Sequence, residues 1–131
     1  MAPKRILIID DEQPYTEMLK LNLEQVGKYV ACEENDARRA LSTARQFGPD
    51  LVLLDVMMPE MDGGDVAAML AKDAEFRDVP IIFLTALVAS EEVPSGGMTN
   101  REHRMLPKST AIDALIRIIE GEVAASSLTR R

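Results

Sequence analysis

The chain has 131 residues, 22 acidic and 15 basic side chains, a net charge of −7 and a single cysteine. That length suits one domain whose core folds without staples, and the lone Cys32 excludes an internal disulfide or a cysteine-rich zinc site. The acidic balance argues against direct nucleic-acid binding, and no apolar run approaches the roughly 20 residues of a membrane-spanning helix.

The first residues, Met1 to Arg5, lead straight into the apolar run Ile6 to Ile9, which is too short for the core of a secretory signal; a cytoplasmic protein is expected. Pro14 then suits a first helical turn, and Tyr15, Leu19, Leu23 and Val26 recur at helical spacing up to Gly27, a C-terminal cap. A second run, Tyr29 to Cys32, precedes a helix capped by Asn35-Asp36, with Ala37, Ala40, Leu41, Ala44 and Phe47 on one face. The third run, Leu51 to Leu54, closes on Asp55, and a third helix is predicted from about Gly64 through Val66, Met69 and Leu70. After the fourth run, Ile81 to Leu84, the stretch from Glu91 to Arg101 contains Pro94, Gly96 and Gly97, so a short irregular helix or a mobile loop is expected. A weaker run, His103 to Leu106, is followed by the clearest helix, with Ile112, Leu115, Ile116, Ile119 and Val123 as an apolar stripe and Thr110 with Asp113 as a capping box. His103, the only histidine, reads as an ordinary surface or edge residue, and most of the eight methionines read as core filler, with Met57 and Met61 expected to flank the site.

Short apolar runs alternating with helical stretches are the pattern of a parallel sheet covered on both faces, with a ligand crevice beyond the carboxyl ends of the strands. Asp10, Asp11 and Asp55 fall at those ends, Thr85 follows the fourth run and Lys108 stands two residues after the fifth. Taken singly, these are solvated loop acids, a strand-ending threonine and a surface lysine. Together they place three carboxylates, a hydroxyl and an ammonium in one cleft. Clustered carboxylates repel one another unless a cation sits among them, and an all-oxygen donor set suits Mg2+. Lysine and threonine facing the same place suggest a phosphoryl group, for which Asp55 can act as nucleophile.

The motifs Ile8-Ile9-Asp10-Asp11-Glu12, Leu53 through Gly63 around Asp55, Phe83-Leu84-Thr85-Ala86 and Pro107-Lys108 together resemble the response-regulator receiver domains of bacterial two-component signalling. The resemblance runs from Lys4 to about Val123 and implies a flavodoxin-like, five-stranded parallel sheet in the order 2-1-3-4-5. It divides the chain into a receiver over 1–124 and a short polar tail over 125–131, with no output domain expected. It implies that Asp55 accepts phosphate from a sensor histidine kinase or a histidine phosphotransfer protein and that a downstream effector protein reads the result. It further implies Mg2+ held by Asp10, Asp11, Asp55 and the Met57 backbone carbonyl, with Ala86 leaving room for the phosphoryl group. The expected product is a switched protein rather than a released metabolite, so the chain is a signalling element and not an enzyme in the usual sense.

Two departures concern the switch. Met105 occupies the place where receivers commonly carry an aromatic residue coupled to the site hydroxyl, here Thr85, and Lys108 is followed by Ser109 rather than proline, so a trans peptide is favoured there. Phosphorylation is expected to draw Thr85 inward and shift the stretch from Leu87 to Arg101. Met57 and Leu87, two positions beyond Asp55 and Thr85, cannot orient an attacking water, which implies a persistent phosphoryl group. Three other readings compete: a degenerate receiver acting as a phosphorylation-independent interaction module, an aspartyl-nucleophile phosphatase, which would want a second acid where Met57 stands, and a flavin carrier, whose phosphate Asp10-Asp11-Glu12 would repel.

Overall fold

A computed structural model describes residues 2–86, 98–99 and 103–129. The four strongest apolar runs become strands β1 (Lys4–Ile9), β2 (Tyr29–Glu34), β3 (Leu51–Asp55) and β4 (Ile81–Thr85). A two-residue strand β5 (Met98–Thr99) and β6 (Arg104–Pro107) complete a sheet ordered β2-β1-β3-β4-β6-β5. Its five longer strands are parallel in the order 2-1-3-4-5 expected from the sequence, with β6 as the fifth. The addition is β5, which pairs antiparallel with β6 through Met98 and Met105. The segment where an irregular helix or loop is predicted otherwise lies outside the described residues, as do Leu87, Pro94, Gly96 and Gly97.

Helices α1 (Gln13–Gln25), α2 (Ala40–Phe47), α3 (Gly63–Lys72) and α4 (Ile112–Thr129) cover the two faces. Alternation along the strands decides which face receives which residue. Ile6, Ile8, Leu51 and Leu53 join Leu19 and Leu23 of α1 and Leu115, Ile119 and Val123 of α4 in one core. Leu7, Ile9, Val52 and Leu54 turn the other way, onto Ala40 and Ala44 of α2 and Val66 and Leu70 of α3. Every residue of β3 and β4 is buried, as expected of central strands in a sheet covered on both sides.

Helix ends show where local signals hold and where they are overridden. Pro14 opens α1, and Gly27 (φ 85°) and Gly48 (φ 70°) supply the left-handed backbone after α1 and α2. Val26 is not part of the buried stripe; it follows the helix and is exposed. Asp36 does cap, but it caps a 3-10 turn (Ala37–Arg39) that leads into α2, and Asn35 instead turns its amide to the Asp10 carbonyl (2.7 Å) and Thr16 Oγ1 (3.1 Å). At α4, Ala111 provides the first helical carbonyl to Leu115, while the Thr110 hydroxyl donates back to Pro107, so the expected capping box is replaced by a turn. His103 is half-buried rather than superficial, with its ring edge-on to Phe83 at 5.6 Å. No cis peptide occurs among the described residues.

Candidate functional site

Sheet register gathers the predicted residues. Ile9 lies beside Leu54 and Asp55 beside Leu84, so the chain leaves β1 at Asp10 at the level where β3 ends in Asp55. Carboxylate oxygens of Asp10, Asp11 and Asp55 all lie within 4.8 Å of one another. Asp10 is 1% and Asp55 4% exposed, whereas Asp11 faces solvent. Thr85, 3% exposed, pairs with Pro107, and its carbonyl accepts the Lys108 backbone N–H at 2.7 Å; that bond brings the lysine to the same crevice.

Lys108 Nζ stands 2.5 Å from Glu12 Oε1, 2.8 Å from Asp10 Oδ2 and 3.6 Å from Asp55 Oδ1, over the ring of Tyr15 at 4.8 Å. Burial opposes its charge, but the Asp10 and Glu12 carboxylates outweigh that cost and hold the ammonium above its ordinary range. Burial likewise pushes the Tyr15 hydroxyl up to about 12, against the pull of Lys108. Asp55 is the group most altered in the chemically useful range. Burial, reinforced by the Asp10 charge, raises its carboxyl to about 6, while Lys108 and the Met57 backbone N–H pull the other way.

The loop after β3 folds back closely onto the Asp55 backbone. Asp62 caps α3 by accepting from Asp65 N–H at 2.9 Å, and Gly63 donates its N–H to Val56 at 2.8 Å. A side-chain carbon on Gly63 would lie 2.4 Å from the Asp55 carbonyl oxygen, so glycine is required there by close backbone approach and not by an unusual φ. The left-handed residue of the loop is Glu60 (φ 71°), which is paired across the crevice mouth with Arg38 at 3.4 Å. Of the two methionines expected to flank the site, Met57 is 70% exposed beside Asp55, whereas Met61, like Met58, packs against the α2–α3 core. Ala86 is exposed at the end of β4, and Met105 packs beside Phe83 on β6.

The structure thus brings together Asp10, Asp11, Asp55, Thr85 and Lys108, with the Met57 backbone at Asp55. Sequence reasoning missed Glu12 and Tyr15 as neighbours of the lysine. Glu12 stood in the quoted motif, but only the arrival of Lys108, 96 residues along the chain, reveals its partner.

The donor set fits a hard divalent cation. Two buried carboxylates and one exposed one converge, and the buried Asp10 Oδ2 has no polar partner among the described residues besides the Lys108 ammonium at 2.8 Å. A cation there would also relieve the repulsion that raises Asp55.

The response regulator receiver domain family profile matches residues 6–120. Curated relatives include the DNA-binding dual master transcriptional regulator RpaA of Synechocystis, 40% identical over 63% of this chain and 34% of its own length. The phosphate regulon transcriptional regulatory protein PhoB of Pseudomonas aeruginosa is 42% identical over 66% of this chain and 37% of its own length. This chain spans about a third of the length of the curated relatives it matches first. Among solved structures, a signal receiver domain of a histidine kinase from Syntrophus aciditrophicus superposes with a TM-score of 0.76 at 28% identity, covering 93% of this chain and 91% of the other. A response regulator from Chloroflexus aurantiacus gives a TM-score of 0.79 at 25% identity, covering 93% and 98%.

Proposed function

The chain belongs to the response regulator receiver domain family, and on that footing we propose that it is a phosphorylation switch whose acceptor is Asp55. The observation that supports this reading best is the Asp55 carboxylate itself, buried, displaced to about 6, and flanked by two acids and an ammonium. A donor of histidine-bound phosphate, a sensor kinase or a phosphotransfer protein, is the proposed source. A downstream effector protein is the proposed reader, with the protein working in the cytoplasm; none of the described helices is long and apolar enough to cross a membrane.

In this mechanism an Asp55 carboxylate oxygen forms a bond to phosphorus as the bond to the donor breaks and the leaving group departs with its electron pair. Asp10, Asp11, Asp55 and the Met57 carbonyl would hold Mg2+, which supplies charge neutralisation at the transferring oxygens. Lys108 neutralises a further oxygen, and the Thr85 hydroxyl donates to another, with Ala86 too small to obstruct it. Because Thr85 and Lys108 are joined through a backbone hydrogen bond, a pull on one is transmitted to the β4 and β6 ends, and Met105 on β6 is the residue placed to repack. The acyl phosphate persists long enough to be read, so the chain acts as a signal and not as a turnover enzyme.

The chemistry of the label tests this. After incubation with acetyl phosphate and Mg2+, a phosphoryl group that hydroxylamine removes and that maps to the Asp55 peptide is expected. A hydroxylamine-resistant label, or one on another residue, overturns the proposal. The phosphorylation-independent module would carry no label while still retaining its partner.

A further inference from the structure

Glu12 lies outside the chemistry proposed above, yet it makes the shortest contact that Lys108 has, 2.5 Å from Oε1 to Nζ. Its backbone is occupied at the start of α1: the carbonyl accepts from Tyr15 and Thr16, and the N–H donates to Asp10 Oδ1 at 2.9 Å. Its side chain makes no capping hydrogen bond, so the helix start does not require the carboxylate. That carboxylate is 60% exposed, whereas the lysine is only 12% exposed and rests on the Tyr15 ring. The ammonium therefore sits on the Asp10–Glu12 side of the crevice, while Asp55 Oδ1, at 3.6 Å, is beyond hydrogen-bond length.

We propose that Glu12 is a positioning residue that holds Lys108 away from the phosphoryl site and so restrains phosphorylation of Asp55. The inference rests on the proposed function. As phosphorus bonds to the Asp55 oxygen and the bond to acetate breaks, negative charge on the phosphoryl oxygens calls for the Lys108 donors. An ammonium has three N–H bonds, and Glu12 competes for one of them. Releasing that contact is part of the barrier. Glu12→Gln keeps the shape and removes the competing charge.

The test measures initial rates of phosphoprotein formation from acetyl phosphate by intact mass, at saturating Mg2+ and fixed ionic strength. The proteins are wild type, Glu12→Gln, Lys108→Ala and the double variant, each checked for folding by a thermal melt. The exposed carboxylate sets a modest scale, and Glu12→Gln is expected to react roughly 2- to 5-fold faster than wild type. In the Lys108→Ala background the same change is expected to do nothing, which separates release of the lysine from a general easing of repulsion toward the anionic donor. An unchanged or slower Glu12→Gln protein overturns the inference, as does an acceleration that persists without Lys108. Wild type that takes up no phosphoryl group overturns the proposed function and this inference with it; labelled wild type with an unresponsive Glu12→Gln protein overturns the inference alone.

Discussion

Replacing Asp55 with asparagine tests whether the electrostatics of the crevice are as described, without any phosphate donor. Asp55 is raised from 3.8 to about 6 by burial and by Asp10. A carboxyl raised on folding contributes stability that is fully present below pH 4 and is lost as the pH climbs through about 6. At about 1.4 kcal/mol per tenfold change in protonation equilibrium, that displacement amounts to about 3 kcal/mol against the folded, metal-free protein at neutral pH. Asparagine keeps the volume, still accepts from the Met57 N–H and removes the charge, while Lys108 keeps Asp10 and Glu12. The pull of Lys108 at 3.6 Å is already contained in that displacement, so what offsets the gain is the poorer fit of an amide NH2 in place of a carboxylate oxygen, leaving about 1 to 3 kcal/mol. For a domain of 131 residues that is roughly 4 to 11 °C in Tm. The assay is thermal or urea unfolding of both proteins in chelator at pH 4.5 and pH 7.5. Comparing the two proteins at each pH cancels other acids, such as Asp36 and Asp73, which hydrogen bonds from nearby N–H groups hold below their usual range. Asp55→Asn is expected to be the more stable at pH 7.5, with the gap closing at pH 4.5. A variant that is less stable at pH 7.5, or a gap independent of pH, refutes the reasoning.

Three further outcomes follow from single contacts. Gly63→Ala places a carbon 2.4 Å from the Asp55 carbonyl oxygen, a backbone atom that cannot swing aside, and a loss of about 1 to 3 kcal/mol is expected by urea unfolding. Lys108→Ala leaves the buried Asp10 and Asp55 carboxylates without their cation, so Asp55 is expected to titrate still higher than about 6, readable by carboxyl NMR as a function of pH. Met57 presents an exposed thioether beside the acceptor, and Met57→Asn, which can orient water, is expected to shorten the phosphoryl lifetime several-fold in a chase after removal of the donor.

The sheet was legible because its central strands are buried on both faces and so appear as unbroken apolar runs; Leu51 through Leu54 and Ile81 through Leu84 needed no other signal. The crevice was legible for a related reason, since acids that end such runs have little cause to be there unless they act. What escaped was set by tertiary arrival. The pairing of Met98 with Met105 involves too few residues to show a period, and Glu12 acquires its partner only when β6 delivers Lys108 beside α1. Val26 sits at helical spacing but past the end of α1, and Thr110 matches a cap pattern one residue too early because Ala111 takes the capping carbonyl. The constraint at Gly63 is the Asp55 carbonyl pressed against it, which spacing along the chain does not reveal.

The most direct test of Asp55 as phosphoacceptor is intact mass after incubation with acetyl phosphate and Mg2+, with Asp55→Asn and a chelated sample alongside. A gain of one phosphoryl group in the wild type alone, absent from the variant and from the chelated sample, is the expected result. Equal labelling of Asp55→Asn, or no labelling of a wild type that also fails to bind Mg2+, would contradict it.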